Sequence, residues 1–351
     1  MRYIPTNHLK KDMVLGQDIY DATGMMLLSA HTILSEQNIS YLAFLGVKGI
    51  YIDDVGSKNI EVENVVRPEI QVTAVQIVRE MFTGAMDEQV DVSEEEKRIQ
   101  EVVEKMVEDV LKNEHVMYNL IELKTYDSYT YFHSVHVGIL AGIIATKMKL
   151  DEDEIYDVIM AGFLHDMGKI FIDRDLINAP RRLTESERVR MMEHPERGYE
   201  FLSKRFHFSE RVNRAVLEHH EWYNGMGYPA HKKENQLLNL ARILKAADVY
   251  DAMTSRRPYH QPYLPSEVME YIMGRSGMEF DPKVVEVMAR ELCIYPVGCE
   301  VELSNGQRGI VKENHKGSIL RPTVKLLDTD NIINLFADRN ARNLTIVKLM
   351  M

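Results

Sequence analysis

Cysteine is scarce: Cys293 and Cys299 are the only two in 351 residues. That is too few for a disulfide framework, and their spacing fits no thiolate zinc site, so a reducing cytoplasm is the expected compartment. Long apolar runs are missing as well. No stretch of about 18 uncharged apolar residues occurs, and the start, "MRYIPTNHLKKDMVLGQ", carries no signal-peptide segment. The chain is therefore expected to be soluble and intracellular, with no membrane association. Positive charge is in deficit, since 42 Lys+Arg stand against 54 Asp+Glu for a formal net charge of -12. Such a balance argues against a DNA-backbone or anionic-lipid surface, and a phosphate ligand would need locally placed cations. Internal repeats and low-complexity segments are absent too.

What is present divides into four parts. Residues 1–60 mix strand-like pieces with one helix: "VLGQDIYDATGMMLLSA" reads as two strands around an Asp-Ala-Thr-Gly turn. "SEQNISYLAFLG" starts on Ser35 as N-cap and stops at Gly46. Residues 61–124 form a helical connector in which Ile99, Val102, Met106 and Val110 recur at three- and four-residue steps. A homodimer through this connector is the expected assembly. From 125 to 292 helix follows helix without strand alternation, which predicts an all-α domain. From 293 to 351 a short β tail is expected, because "GCEVELSNGQRGIVKEN" alternates around Asn305-Gly306, a two-residue hairpin signal. The fold class is thus mainly α, with a small N-terminal α+β module and a C-terminal β tail.

Seven of the 13 histidines lie between His133 and His220, inside the helical segment. Each alone would be a core or surface histidine. Together His133, His165-Asp166, His194, His219-His220 and Asp248 fall on five successive predicted helices, and a bundle can aim them at one point. Imidazole and carboxylate donors without sulfur suit Fe, Mn, Co, Ni or Zn in a catalytic site. Neighbours on a helix point about 100° apart, so the two doublets favour two ions with one bridging carboxylate rather than one ion. Two divalent ions bring four positive charges and Asp166 and Asp248 remove two, leaving a surplus for a phosphodiester and a hydroxide. A metal pair of that kind supports in-line displacement at phosphorus.

Around this set, Lys169 lies one predicted turn past His165, where it can meet a phosphate. "HHEWYNGMGYP" leads through Gly225 and Gly227 to Tyr228-Pro229, a turn that presents the tyrosine. In "DVYDAMTSRRPYH" Arg257 is the candidate phosphate ligand and Arg256 a basic helix end. His136 is expected to pack or hydrogen bond, and His207, His231 and His315 to lie at the surface.

The segments "YTYFHS", "HDMGK", "EHPERG", "HHEWYNGMGYP", "ARILKAADVYDAMTSRRPY" and "FDP" together resemble the HD-GYP family of cyclic di-GMP phosphodiesterases, a branch of the HD phosphohydrolases. The resemblance covers roughly residues 125–292. It implies a helical HD-type bundle holding two divalent ions, Fe or Mn. Their ligands would be His133, His165, Asp166, His194, His219, His220 and Asp248, with Asp166 bridging. It further implies that Lys169, Tyr228 and Arg257 contact substrate, Lys169 and Asp166 having catalytic roles, and that cyclic di-GMP is cut to pGpG and then to GMP. Tyr129 stands where three-metal members carry a carboxylate, so two ions are expected. His260 replaces a usually basic residue, and Asp173 and "APRRL" replace a Pro and a Lys-Pro-Gly turn. Two other readings stay open: a phosphodiesterase of a mixed cyclic GMP-AMP, and a silent cyclic di-GMP sensor that signals through the N-terminal module or the connector.

Overall fold

The alternation at the N terminus produces short strands in the computed structural model, which describes residues 1–21, 25–87, 89–113, 129–179, 181–255 and 263–350. The chain starts with β1 (Arg2–Pro5), β2 (Val14–Leu15), β3 (Ile19–Tyr20), β4 (Met26–Leu28), α1 (Glu36–Phe44) and β5 (Gly49–Asp53). β5 lies between β1 and β2 in an antiparallel sheet, with Arg2 opposite Ile52 and Leu15 opposite Ile52 on the other side. β3 and β4 pair as expected of the two strands, while Ala22–Gly24 of their turn lie outside the described residues. Ser35 does cap α1: its Oγ accepts from Asn38 N at 3.1 Å and the Asn38 side chain accepts from Ser35 N at 2.9 Å. The helix ends just before Gly46, whose φ of +75° is left-handed and suits glycine.

The helical part comprises α2 (Pro68–Gly84), α3 (Val92–Lys112), α4 (Tyr129–Lys147), α5 (Glu152–Leu164), α6 (Arg174–Ile177), α7 (Glu185–Met191), α8 (His194–Arg205), α9 (Glu210–Glu218), α10 (Asn239–Thr254), α11 (Pro265–Gly274) and α12 (Pro282–Glu291). Asp91 caps α3, and Ile99, Val102, Met106 and Val110 on its stripe are buried. α2 and α5 pack on α3, so this stripe is buried within the chain. α4 and α5 are apolar on nearly every side, which places them at the centre of the bundle. Their backbones meet at Gly138 and Gly162, where a Cβ on Gly162 would overlap Gly138 Cα. This close crossing sets the middle of α4 beside the C-terminal end of α5.

The chain closes with β6 (Glu300–Leu303), β7 (Arg308–Glu313), β8 (Thr323–Leu326), β9 (Ile332–Asn334) and β10 (Ile346–Met350), an antiparallel sheet in the order β10-β6-β7-β8-β9. The β6–β7 hairpin turns at Asn305-Gly306, with Gly306 at φ +83°. By contacts the molecule divides into two units, one joining residues 1–65 to the chain from Ala289 onward, the other joining α2 and α3 to residues 130–288. The N-terminal module and the C-terminal strands, distant in sequence, therefore share a unit. Tyr3 N donates to Gly298 O at 2.8 Å, and Lys325 Nζ to Gly56 O at 2.9 Å. Among the described residues no helix is long and apolar enough to cross a membrane.

Candidate metal centre

Helix ends, rather than helix interiors, carry most of the candidate ligands. α5 stops at Leu164 with His165 as its C-cap, and Asp166 leads into a 3-10 turn over Met167–Phe171. His194 is the first residue of α8, and His219 is the C-cap of α9. His133 and Asp248 sit within α4 and α10. The expected continuous helix through the "HDMGK" stretch is thus broken at its motif. The physical reason is Gly168, whose missing Cβ lets the 3-10 turn lie directly on the first turn of α8. A methyl there would overlap His194 O and come within 2.6 Å of Gly198 N.

Each of these caps also fixes a ring. His165 Nδ1 donates to Gly162 O at 2.7 Å, His194 Nδ1 to Met191 O at 2.7 Å, and His219 Nδ1 to Val216 O at 2.6 Å. A carbonyl can only accept, so each Nδ1 carries the hydrogen. The His194 and His219 rings, kept neutral by burial, turn an Nε2 lone pair inward, whereas at His165 burial is outweighed by Asp166 and Asp248, which raise its pKa. Burial lowers the pKa of His194 to about 4 and pushes His219 and His220 well below the usual histidine range. His194 Nε2 and His219 Nε2 nevertheless face one another at 3.3 Å. Two neutral rings with both Nδ1 atoms committed present acceptor to acceptor there, an arrangement that a cation between them resolves. His165 Nε2 is buried without a hydrogen-bond partner, its nearest carboxylate oxygen, Asp166 Oδ2, being 3.4 Å away. The residues fit a metal ion.

The donors form two trios, His133-His165-Asp166 and His194-His219-His220, each with its ligand atoms within 4.8 Å of one another. Asp166 faces both. Its Oδ2 approaches His165, and its Oδ1 lies 3.6 Å from His194 Nε2. Asp248 Oδ1 is 3.1 Å from His133 Nε2 and 3.9 Å from His165 Nε2. Burial disfavours the Asp166 charge, but Lys169 and His165 outweigh it and hold the carboxyl well below its usual range. For Asp248 the same burial is overridden by His133 and His165. Lys169 Nζ sits 2.5 Å from Asp166 Oδ2 and is partly exposed, so it bridges the buried carboxylate to the open side of the site. Tyr228 stacks on His220, rings 4.8 Å apart and 20° from parallel. Arg256, Arg257 and His260 lie outside the described residues, as does the side chain of Tyr129.

One residue of this centre was not legible as a candidate. Asp251, almost wholly buried, accepts from His133 Nδ1 at 2.6 Å and lies 3.5 Å from His136 Nδ1. Its only signal is the three-residue step from Asp248, which puts both carboxylates on one face of α10. As the carboxylate behind a ligating imidazole it fixes ring and tautomer. Asp251→Asn is expected to weaken metal binding about 10–100-fold with little change in fold, measurable by metal titration and circular dichroism.

Comparisons with known proteins place the helical part of the chain in a family. The HD domain family matches residues 92–284. A cyclic di-GMP phosphodiesterase of Pseudomonas aeruginosa is 36% identical over 226 residues, 64% of this chain and 54% of that protein. A cyclic di-GMP phosphodiesterase response regulator of Xanthomonas campestris is 38% identical over 43% of this chain and 40% of its own length. A 3'3'-cGAMP-specific phosphodiesterase of Vibrio cholerae is 31% identical over 44% of this chain and 30% of its own. The chain spans about half, or less, of the length of these relatives. Among solved structures, a HDG"Y"P protein from Bdellovibrio bacteriovorus superposes with a TM-score of 0.52 at 17% identity, covering 82% of this chain and 97% of its own, a likeness of fold.

Proposed function

Since the chain belongs to the HD domain family, we propose that it hydrolyses cyclic di-GMP in the cytoplasm to linear pGpG and on to GMP, using two divalent ions, iron or manganese. The observation that carries this reading is the pair of trios with Asp166 between them. His133, His165, Asp166 and Asp248 would hold one ion and His194, His219, His220 and Asp166 the other. Bound there, such ions supply Lewis acidity and lower the pKa of water. Water adds across one phosphodiester: the P–O3′ bond breaks, the 5′ side keeps the phosphate, and the 3′ oxygen leaves as a hydroxyl.

The chain's own residues then have distinct tasks. Lys169 keeps Asp166 ionised and turned inward, and its remaining N–H bonds face the phosphate, where negative charge accumulates. Arg257 would be the residue to bind the phosphate's outer oxygens, a guanidinium being able to hold two at once. Tyr228, held parallel to His220, gives the pocket an aromatic wall for a guanine. The buried, dry setting of Asp166 and Asp248 strengthens each of these charge contacts.

The test is turnover by anaerobically purified protein loaded with Fe(II) or Mn(II), given cyclic di-GMP and 3'3'-cGAMP in parallel and read by chromatography. Release of pGpG, faster than any product from the mixed dinucleotide, is expected. Faster cleavage of the mixed dinucleotide would change the substrate assignment, and tight binding without product would make the chain a sensor.

A further inference from the structure

α10 carries a second set of charges on the turns that lead up to its site carboxylates. Arg242, Lys245, Asp248 and Asp251 follow at three-residue steps, basic in the first half and acidic in the second. The acidic half meets the histidines. The basic half meets the segment Glu279-Phe280-Asp281: Lys245 Nζ lies 3.1 Å from Glu279 Oε1, and Arg242 pairs with Asp281. Lys245 and Glu279 are 6% and 5% exposed, so this is a buried ion pair. Tyr271 donates its hydroxyl to the second Glu279 oxygen at 3.1 Å.

The backbone of the same segment grips the loop that follows the histidine doublet. Tyr223 N donates to Glu279 O at 3.2 Å and Asn224 N to Met278 O at 2.9 Å. The loop closes on itself farther along, where Ala230 N donates to Glu221 Oε1 at 2.6 Å and Tyr228 N to His220 O at 3.2 Å. Gly227 makes the closure feasible, since any Cβ there would collide with the 221–222 backbone.

We infer that Lys245, through Glu279, is a positioning residue: it fixes the 221–230 loop against α10 and so sets where Tyr228 stands over the site. A buried ion pair is a poor source of net stability, since desolvating two charges costs about what their attraction returns. What it does provide is a single register. Glu279 has one ammonium within reach from α10, one turn ahead of Asp248, so segment, loop and carboxylate are locked to one helix. This role rests on the proposed dinucleotide hydrolysis only for its effect on substrate. The effect on the loop stands apart from it.

Trp222, the chain's single tryptophan, lies in this loop and reports on it directly. The test uses the full chain with Fe(II) or Mn(II) and two variants, Lys245→Arg and the apolar pair Lys245→Met/Glu279→Met, which leaves no lone buried charge. In the Met pair, acrylamide quenching of Trp222 is expected to rise about twofold as the loop loosens. KM for cyclic di-GMP should rise about 10–100-fold, the scale of a small misplacement, with kcat changed far less. Metal content and Tm should hold at the wild-type level, and Lys245→Arg should keep most of the wild-type KM. Unchanged quenching and KM would overturn the inference, as would a loss of activity that tracks a loss of metal or a lower Tm. Should wild type turn nothing over, the hydrolase reading fails by itself. Trp222 quenching and the Kd of cyclic di-GMP then decide the positioning role.

Discussion

His165→Ala/Asp166→Ala is expected to lower cyclic di-GMP turnover by about 10³-fold or more, the scale on which loss of a preorganised electrostatic centre is felt. Both residues belong to the His133 trio, and Asp166 also faces His194 of the other. Metal bound per chain should therefore fall along with the rate, and elemental analysis beside the assay will show whether it does. The fold should survive. His165 is the C-cap of α5 rather than part of its interior, and its backbone contacts do not require the ring. Removing Asp166 strips Lys169 of its partner, but Lys169 is 28% exposed at the side chain and can turn to water. No unpaired charge is left buried, which is the usual route by which breaking an ion pair unfolds a protein. A variant with wild-type helix content, full metal and full turnover would sink the assignment of this centre.

The contrast between what could be read from residues and what could not follows the range of the interactions. Ser35, the α3 stripe and the Asn305-Gly306 hairpin are legible because each is decided within a few residues: a cap, a periodicity, a turn that needs left-handed backbone. The ligand types are legible because imidazoles and carboxylates are costly in an apolar bundle unless something holds them. Where α5 ends was not. α5 stops at Leu164 because a partner 30 residues downstream, the α8 N-terminus, presses on Gly168, and no local signal announces that. Asp251 reads as an ordinary helix acid until His133 is found 2.6 Å away, 118 residues earlier in the chain. Lys245 looks like a solvated lysine for the same reason, its partner Glu279 lying beyond another helix. The covering of the α3 face by α2 and α5 is likewise a tertiary fact.

That dependence of the site on one remote contact makes Gly168→Ala the second large effect to expect. The added methyl would overlap His194 O and stand 2.6 Å from Gly198 N, and both are backbone atoms of the first turn of α8 that cannot rotate away. α8 must then retreat from the 3-10 turn, or the turn must move with Lys169 and Asp166 on it. Overpacking of this kind costs about 1–3 kcal/mol, which the fold should tolerate as a lower Tm. The site should tolerate it less, because His194 and Asp166 sit on the two elements being forced apart and are 3.6 Å from each other now. A shift of about 1 Å in such a centre is worth roughly 10²-fold in rate. The loss should appear as a fall in metal bound per chain together with the rate, because Asp166 and His194 are the donors being moved apart. Gly198→Ala is the matched control: its Cβ would come no closer than 3.1 Å, to Gly168 N, a tight contact that a few tenths of an ångström relieve. If Gly168→Ala bound metal and turned over substrate as Gly198→Ala does, the close approach of the 3-10 turn and α8 would have no part in building the site.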